Sequence, residues 1–188
     1  MPERPATTNS GERKSRKQSQ IDKTRRWISE ALMQLIEEMD YDQINVSLIC
    51  KRAGVGRQTF YRHFHSKNDI VRYELDHISD ELVVSLLKIE PQPVSDRDIH
   101  LLSARTWLRH AYLHPLVESP DLLPLFVDLV MKVRGTLEKQ FDIPAPIESY
   151  KTSFRYGGIT AVFIKWITSG AKESPEKLAS ILEECCRQ

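Results

Sequence analysis

Glycine is scarce in this chain, with 7 residues among 188, whereas ordinary usage is about 7%. Folds built from strands and tight turns use more glycine, because many turns need a residue that accepts positive φ. No segment shows the sustained alternation of apolar and polar residues that is typical of a half-buried strand. The sequence therefore predicts an all-α fold.

Cysteines and long apolar runs are also few. The three cysteines, two of them adjacent (Cys185 and Cys186), form neither a disulfide framework nor a metal-binding spacing. The longest uncharged stretch near the C-terminus covers residues 156–164, far short of the ~18 apolar residues of a membrane helix. The first 20 residues lack the apolar segment of a signal peptide. We therefore expect a cytoplasmic protein with no membrane partner.

Catalytic motifs are missing as well. The chain has no glycine-rich phosphate loop, no nucleophile elbow and no carboxylate pair at a specific spacing. His110 and His114 are four residues apart and could share a helix face as metal ligands, but no third ligand is evident and Pro115 disrupts that end. We expect no catalytic residue, no metal and no cofactor.

The near-neutral net charge of +1 hides an asymmetry along the chain. Residues 1–75 carry 14 basic and 10 acidic side chains, whereas residues 76–188 carry 13 and 16. Residues 43–68 hold five basic side chains and no acidic one. This distribution favours a polyanion-binding head on a neutral-to-acidic body, although basic residues can also simply solvate a surface.

Helical periodicity and breaks divide the chain into three parts. Residues 1–20 are polar and basic and are predicted to be a disordered arm. An amphipathic helix begins near Asp22, and short helices with breaks at glycine and proline follow it. We predict a helix-turn-helix domain over residues 21–68 and a helical effector-binding and dimerisation domain over residues 69–188.

The segment NVSLICKRAGVGRQTFYRHF, residues 45–64, has the features of a helix-turn-helix. Asn45 suits a helix N-cap, and Gly54 suits the left-handed position that ends the first short helix. Two short helices joined by a turn of three to four residues that contains glycine form the DNA-binding motif. An ordinary helical hairpin with a charged face is the alternative, and the absence of acids argues against it.

The second short helix is predicted to present a polar face at its start. With Phe60 and Phe64 turned inward, the exposed candidates are Arg57, Gln58, Thr59, Tyr61 and Arg62. The N-terminal part of a recognition helix meets base edges in the major groove. Arginine can bind guanine and glutamine can bind adenine through two hydrogen bonds, while Thr, Tyr and Lys can donate to phosphates.

Residues 23–75 closely resemble the DNA-binding domain of the TetR family of transcriptional regulators. The matching segment is AGVGRQTFYRHFHSKNDIV, Ala53 to Val71, after the amphipathic helix ISEALMQLIEEMDYDQINVSLIC. The helical remainder, ending FRYGGITAVFIKWITSGAKESPEKLASIL, is similar to that family's more variable ligand-binding and dimerisation domain. The resemblance implies a homodimer that binds a palindromic double-stranded operator and is often released by a small molecule.

The resemblance also implies roles for single residues. Thr59 and Tyr61 match positions that commonly contact DNA, Lys67 matches a lysine that grips a phosphate, and Gly54 matches the turn glycine. Gly56 stands where the family often has serine, and Gln58 stands where a small residue is frequent. These two departures leave the operator sequence unpredictable by analogy.

Two further sites are expected in the larger domain. Small and apolar residues on the last two helices suggest an isologous dimer interface, with intramolecular packing as the alternative; its candidates are Phe154, Gly158, Ala161, Val162, Leu178 and Leu182. Aromatic and histidine residues suggest an effector pocket, although such residues also form ordinary cores; its candidates are Trp107, His110, Tyr112, Phe126 and Phe154.

Together with this resemblance, the sequence favours a dimeric, ligand-responsive regulator that binds DNA and represses transcription. An adaptor or coactivator that keeps the fold but acts through a protein partner is the main alternative. An enzyme on a helical scaffold is the third class, and the absence of catalytic motifs disfavours it.

Overall fold

A computed structural model describes residues 9–90, 94–140 and 149–186. Within these ranges the regular elements are all helical and none is a β-strand, which confirms the all-α prediction. The α-helices are α1 (Asn9–Glu38), α2 (Val46–Ala53), α3 (Arg57–His63), α4 (Lys67–Leu86), α5 (Asp96–Arg109), α6 (Leu123–Gln140), α7 (Ser149–Thr168) and α8 (Pro175–Cys186). Two 3₁₀ segments cover Tyr41–Gln43 and Ala111–Glu118.

The chain divides into two compact units between Val71 and Arg72. The division falls inside α4, so a continuous helix carries the chain from one unit into the next. Each unit has its own buried apolar residues.

The N-terminal unit is built around one face of α1. Ile28 and Leu32 of α1 are fully buried, as are Ile49 of α2 and Phe60 of α3. Helix α1 packs against both α2 and α3. Complete burial of such a side chain contributes roughly 1.5–3 kcal/mol, so these residues fix the two short helices against α1.

Helix α1 begins earlier than the sequence pattern suggested. Residues 9–20, which we expected to be a disordered arm, form its first turns. Lys, Arg, Gln and Glu are good helix formers, and each residue added to an existing helix gains one hydrogen bond. Residues 1–8 of the expected arm lie outside the described ranges.

Polar side chains cap the helices where the sequence predicted caps. Asn45 accepts a hydrogen bond from the Leu48 N–H at 3.1 Å, at the start of α2. At the start of α4, the Asp69 N–H donates to the Ser66 hydroxyl at 3.2 Å, and the Asp69 carboxylate accepts from the Ser66 N–H at 3.1 Å. The spacing of Ser66 and Asp69, three residues apart in the sequence, predicts such a reciprocal capping box, and these two bonds confirm it.

The C-terminal unit contains two well-packed helix pairs. Helix α8 packs against α5, and α7 packs against α6. Leu82 and Leu86 on α4 form an apolar cluster with Val133 and Leu137 on α6. Lys132 of α6 adds ion pairs to Asp76 and Asp80 on α4, at 2.8 and 3.3 Å.

The middle of this unit departs from the predicted helix bounds. The cap signal of Ser95 with Asp98 predicts a helix that runs to about Leu113, but α5 ends at Arg109 and a 3₁₀ segment that includes Pro115 follows. The sequence Ser119-Pro120-Asp121 predicts a next helix with Pro120 at its first position, whereas α6 begins at Leu123. The reason is a turn in which the N–H groups of Leu122 and Leu123 both donate to the Ser119 carbonyl.

Candidate nucleic-acid interface and effector cavity

A short turn at Gly54–Gly56 joins α2 to α3. Gly54 has φ +66°, the left-handed conformation that glycine adopts without steric cost. Its N–H bonds to the carbonyls of Cys50 and Lys51, which closes α2, and the Val55 N–H also bonds to the Cys50 carbonyl. Gly56 is the N-cap of α3 and makes no side-chain cap. Relative to serine this costs only a few tenths of a kcal/mol.

Helix α3 turns its aromatic side inward and its polar side outward. Phe60 is fully buried, and Phe64 just beyond the helix is nearly so. Arg57, Gln58, Tyr61 and Arg62 are exposed, and Thr59 is half-buried. The structure therefore brings all five candidates onto one short helix, with four of them open to a ligand.

Two arginines near this face have partners within the unit. The Arg57 guanidinium donates to the Ser47 hydroxyl in the first turn of α2, which ties the start of α3 to the start of α2. Arg52 forms a two-bond ion pair with Glu38 of α1, at 2.9 and 2.6 Å. Glu38 lies outside the acid-free segment, so the sequence pattern did not predict this neutralisation of one cation.

Lys67, the predicted phosphate ligand, lies at the first position of α4. Its ammonium donates to the backbone carbonyls of Tyr41 and Ile44, at 2.6 and 3.0 Å, and lies 4.1 Å from the centre of the Tyr41 ring. Burial lowers the pKa of Lys67, while Asp42 partly offsets that effect. A lysine ammonium has three N–H donors, so the two carbonyl bonds leave one for a phosphate.

His63, at the C-terminal end of α3, adds little to the positive charge of this helix. Burial lowers the pKa of His63, and the cations Arg62 and Arg25 lower it further. Both effects favour the neutral form of the His63 imidazole. The charge that α3 offers to a polyanion comes from its exposed arginines.

The C-terminal unit contains a largely apolar cavity of about 90 Å³. Of the five residues predicted to form an effector pocket, Trp107 and Phe126 line it, with their ring centres 5.4 Å apart. His110, Tyr112 and Phe154 are not part of its wall. An effector-binding role for these three residues therefore stays a prediction that this cavity does not support.

His110 and Tyr112 belong to a polar cluster beside α4. The His110 imidazole bonds through Nδ1 to the Tyr112 hydroxyl at 2.8 Å and through Nε2 to Glu81 at 3.3 Å. Arg109 also bonds to Glu81, at 2.6 Å. Burial, with the nearby carboxylates, raises the pKa of Tyr112 to about 12. His110 thus bonds to both Tyr112 and Glu81, and neither His110 nor Tyr112 lines the cavity.

The described residues contain no group of three or more His, Cys, Asp or Glu side chains close enough to hold a metal ion. His114, the second histidine of the possible metal pair, bonds through Nε2 to the Trp107 carbonyl at 3.3 Å. Across the described helices, none is both long enough and apolar enough to span a membrane.

Sequence reasoning missed His100, which lines the cavity. Only 5% of this residue is exposed, and its buried Nδ1 has no hydrogen-bond partner among the described residues. Burial lowers the pKa of His100, and Arg155 lowers it further, whereas Asp96 and Glu183 act in the opposite direction. The sequence pointed to His100 as a cavity residue only in that it is a histidine on the apolar side of α5.

Helix α7 carries a continuous exposed face of aromatic and small residues, here called the α7 face. Tyr150 and Phe154 are 88% and 85% exposed. Gly157, Gly158 and Ala161 extend the same face and are also exposed. Val162, a further candidate, is half-buried. The exposure of Phe154 explains why it is absent from the cavity wall.

Leu178 and Leu182, the α8 candidates for the dimer interface, lie elsewhere. Both are almost completely buried within the single chain, at 2% and 1% exposure. The apolar stripe of α8 packs against α5, and the Arg105–Glu176 ion pair at 2.8 Å supports that packing. The intramolecular alternative therefore holds for these two residues.

Comparison with known protein families gives a match in the N-terminal part of the chain. Residues 28–73 match the family described as bacterial regulatory proteins, tetR family. No curated protein matches the chain at a significant level. The matched residues include all of α2, α3 and the turn between them.

Solved structures share the fold over most of both chains. A TetR transcriptional regulator from Streptococcus agalactiae 2603V is 21% identical, covers 88% of this chain and 94% of its own, and has a TM-score of 0.60. The dihydroxyacetone kinase operon activator DhaS is 24% identical, with coverages of 86% and 93% and a TM-score of 0.53. The TetR family repressor AlkX from Dietzia sp. strain DQ12-45-1b, implicated in biodegradation of n-alkanes, is 24% identical, with coverages of 85% and 93% and a TM-score of 0.53.

TetR family proteins are DNA-binding regulators and not enzymes, in line with the absence of catalytic motifs. The match over residues 28–73 covers the helix-turn-helix, and the solved structures share the fold of the remainder. Residues 28–73 thus belong to the family described as bacterial regulatory proteins, tetR family, and the chain shares the fold of solved TetR transcriptional regulators.

Proposed function

We propose that this protein is a homodimeric repressor that binds a palindromic operator and is released from it by a small molecule. Residues 21–68 serve as the DNA-binding domain, and residues 69–188 as the effector-binding and dimerisation domain. The protein acts in the cytoplasm, where it meets its operator.

The exposed side of α3 carries the DNA-binding proposal. It presents Arg57, Gln58, Tyr61 and Arg62 to solvent, in a segment of 26 residues, 43–68, that contains no acidic side chain. Arginine and glutamine supply the hydrogen bonds that read guanine and adenine. Tyr61, with Thr59 and Lys67, supplies donors for phosphates.

The α7 face supports the homodimer. Large exposed apolar side chains at neighbouring positions of one helix mark an interaction surface. Glycine and alanine on that face let a second helix backbone approach closely. A two-fold axis through the face pairs it with itself, and a dimer of this kind carries two copies of α3, one for each half of a palindrome.

Repression is the simpler outcome of operator binding. A protein that occupies a promoter excludes other proteins, whereas an activator also needs a surface that contacts the transcription machinery. The shared fold does not decide between repression and activation of transcription, because the solved structures of this fold include one named a repressor and one named an activator.

Selection from random DNA, followed by genome-wide mapping of bound sites, tests this proposal. We expect a palindromic consensus, and reporter transcription from a promoter that carries it should rise when the protein is deleted. A fall in reporter transcription would reverse the sign to activation. The absence of any sequence-specific binding would leave the adaptor that acts through a protein partner as the better explanation.

Replacing Gln58 with alanine is expected to relax base preference at one base pair in each half-site. Gln58 is exposed at the second position of α3, and a good two-bond contact discriminates against the wrong base by roughly 1–3 kcal/mol. Selection from random DNA with the variant should flatten that position of the consensus only. Lys88→Ala in the C-terminal unit is the control, and an unchanged consensus for the Gln58 variant would contradict the assignment.

Replacing Tyr61 with phenylalanine is expected to weaken binding to all sequences by a similar factor, roughly 5- to 10-fold for one lost hydrogen bond. The ring is 53% exposed and packs edge-on against Phe60, with ring centres 5.3 Å apart, so the variant keeps its packing. Titration of specific and random duplexes at one salt concentration measures both affinities. Lys88→Ala in the C-terminal unit is again the control, and a loss confined to specific DNA would show that Tyr61 reads a base instead.

A further inference from the structure

We propose that the cavity of the C-terminal unit binds a small organic acid, whose carboxylate bonds to His100 and Arg155 and whose apolar body fills the rest of the space. The inference rests on the proposed function, because it names the chemical class of the effector.

The Nδ1 atom of His100 provides the first observation. Nearly all buried polar atoms in folded proteins have a hydrogen-bond partner. Within the part of the chain that the structure describes, this atom has none, although 95% of the residue is covered and it lines the cavity. A molecule in the cavity that offers an oxygen to Nδ1 would supply the missing partner.

Charged side chains at the cavity wall define which oxygen fits. Arg134, Arg155 and Asp96 line the cavity together with His100. Arg155 pairs with Asp96, and Arg134 pairs with Glu138 at 2.7 Å. Each of the two arginines therefore already has one carboxylate partner. A buried ligand carboxylate needs hydrogen-bond donors from cationic groups, and the wall offers two guanidinium groups for that role.

A guanidinium group also has donors to spare. Arginine carries five N–H groups, and a carboxylate accepts two of them in parallel. The Arg155 contact with Asp96 uses one terminal nitrogen. The same side chain can therefore hold Asp96 and a ligand carboxylate beside His100, whose electrostatic interaction with Arg155 shows that the two groups are close.

The remainder of the wall is apolar and defines the other end of the ligand. It includes Leu82, Trp107, Phe126, Val133 and Phe163. Apolar pockets with a few convergent polar groups are the usual form of small-molecule sites. An aromatic ring or a short aliphatic chain attached to the carboxylate fits this division into a polar end and an apolar body.

Calorimetric titration with benzoate and hexanoate, and with the uncharged analogues benzamide and hexan-1-ol, tests the class of ligand. We expect at least one acid to bind 10- to 100-fold more tightly than its uncharged analogue, as charge-assisted hydrogen bonds are stronger than neutral ones. Equal affinity for an acid and its analogue, or binding by none of the four compounds, would overturn the inference.

Variants and a spectroscopic measurement locate the carboxylate. His100→Leu and Arg155→Gln should each reduce acid affinity about 10-fold or more, while Arg105→Gln, an exposed arginine of α5 that pairs with Glu176, should not. In the wild-type protein, nitrogen NMR should show that acid binding raises the pKa of the His100 imidazole, because an adjacent carboxylate favours the protonated form. An unchanged His100 signal in the presence of bound acid would overturn the inference without depending on whether a variant folds.

Operator binding by the ligand-free wild-type protein is measured in parallel. If the protein binds its operator and none of the acids binds, the organic-acid class is wrong and the regulator proposal stands. If an acid binds through His100 and no specific DNA is bound, the ligand inference stands and the repressor proposal is wrong.

Discussion

Replacing Gly158 with arginine is expected to convert the protein into a folded monomer and to reduce operator affinity by 100-fold or more. Gly158 is exposed in the middle of the α7 face, and a Cβ atom added there meets no other atom within 4 Å. The single chain therefore accommodates the substitution, and loss of a helical glycine favours the helix by about 1 kcal/mol. In a dimer through this face, the arginine would bring an unpaired charge where two backbones meet.

Light scattering and circular dichroism measure the mass and the helix content of the Gly158 variant. Gly135→Arg is the matched control, since Gly135 is also a helical glycine with no atom within 4 Å of an added Cβ, and it lies on α6. The control should remain dimeric and bind DNA. A dimeric, folded Gly158 variant would show that the α7 face is not the interface.

Replacing Lys67 with methionine is expected to weaken binding to specific and random DNA alike, by roughly 10- to 100-fold, since a hydrogen bond to a charged group contributes about 1.5–3 kcal/mol. Methionine keeps the apolar stem that lies beside the Tyr41 ring. It removes both the donor proposed to reach a phosphate and the bonds to the carbonyls of Tyr41 and Ile44. The slope of log affinity against log salt should fall by about 1 if the ammonium contacts a phosphate.

The salt slope separates two roles of Lys67. If the ammonium only holds the Tyr41–Gln43 segment in place, affinity falls while the slope stays the same. Arg62→Met is the comparison. Arg62 is exposed on α3, and its side chain makes no hydrogen bond or ion pair with another described residue. An unchanged slope in the Lys67 variant would contradict the phosphate contact.

Much of the DNA-binding unit could be predicted from local sequence. The positions of Asn45, Gly54, Ser66 and Asp69 specify where α2 ends and where α2 and α4 begin, because caps and left-handed turns depend on residues a few positions apart. Phe60 and Phe64 at helical spacing determine which side of α3 is buried. The outward positions of Arg57, Gln58, Tyr61 and Arg62 follow from the same periodicity.

The cavity could not be predicted in this way. Trp107 and His110 are three residues apart and both look like pocket residues, yet only Trp107 lines the cavity. Helix α5 ends between them and His110 turns to Glu81, which is 29 positions away in the chain. His100 is a candidate ligand-binding residue only because α6 and α7 bring their own side chains to the wall of the same cavity.

The sequence by itself determined the all-helical class, the helix-turn-helix with its polar face, and the resemblance to the TetR family, since these depend on helical periodicity, caps and a contiguous motif. The tertiary structure decided which apolar stripes remain available. Leu178 and Phe154 are equally apolar in sequence, but α8 packs against α5 and buries Leu178, whereas Phe154 stays exposed on α7. Burial depends on which distant helix covers a residue, and periodicity along one helix carries no information about that neighbour.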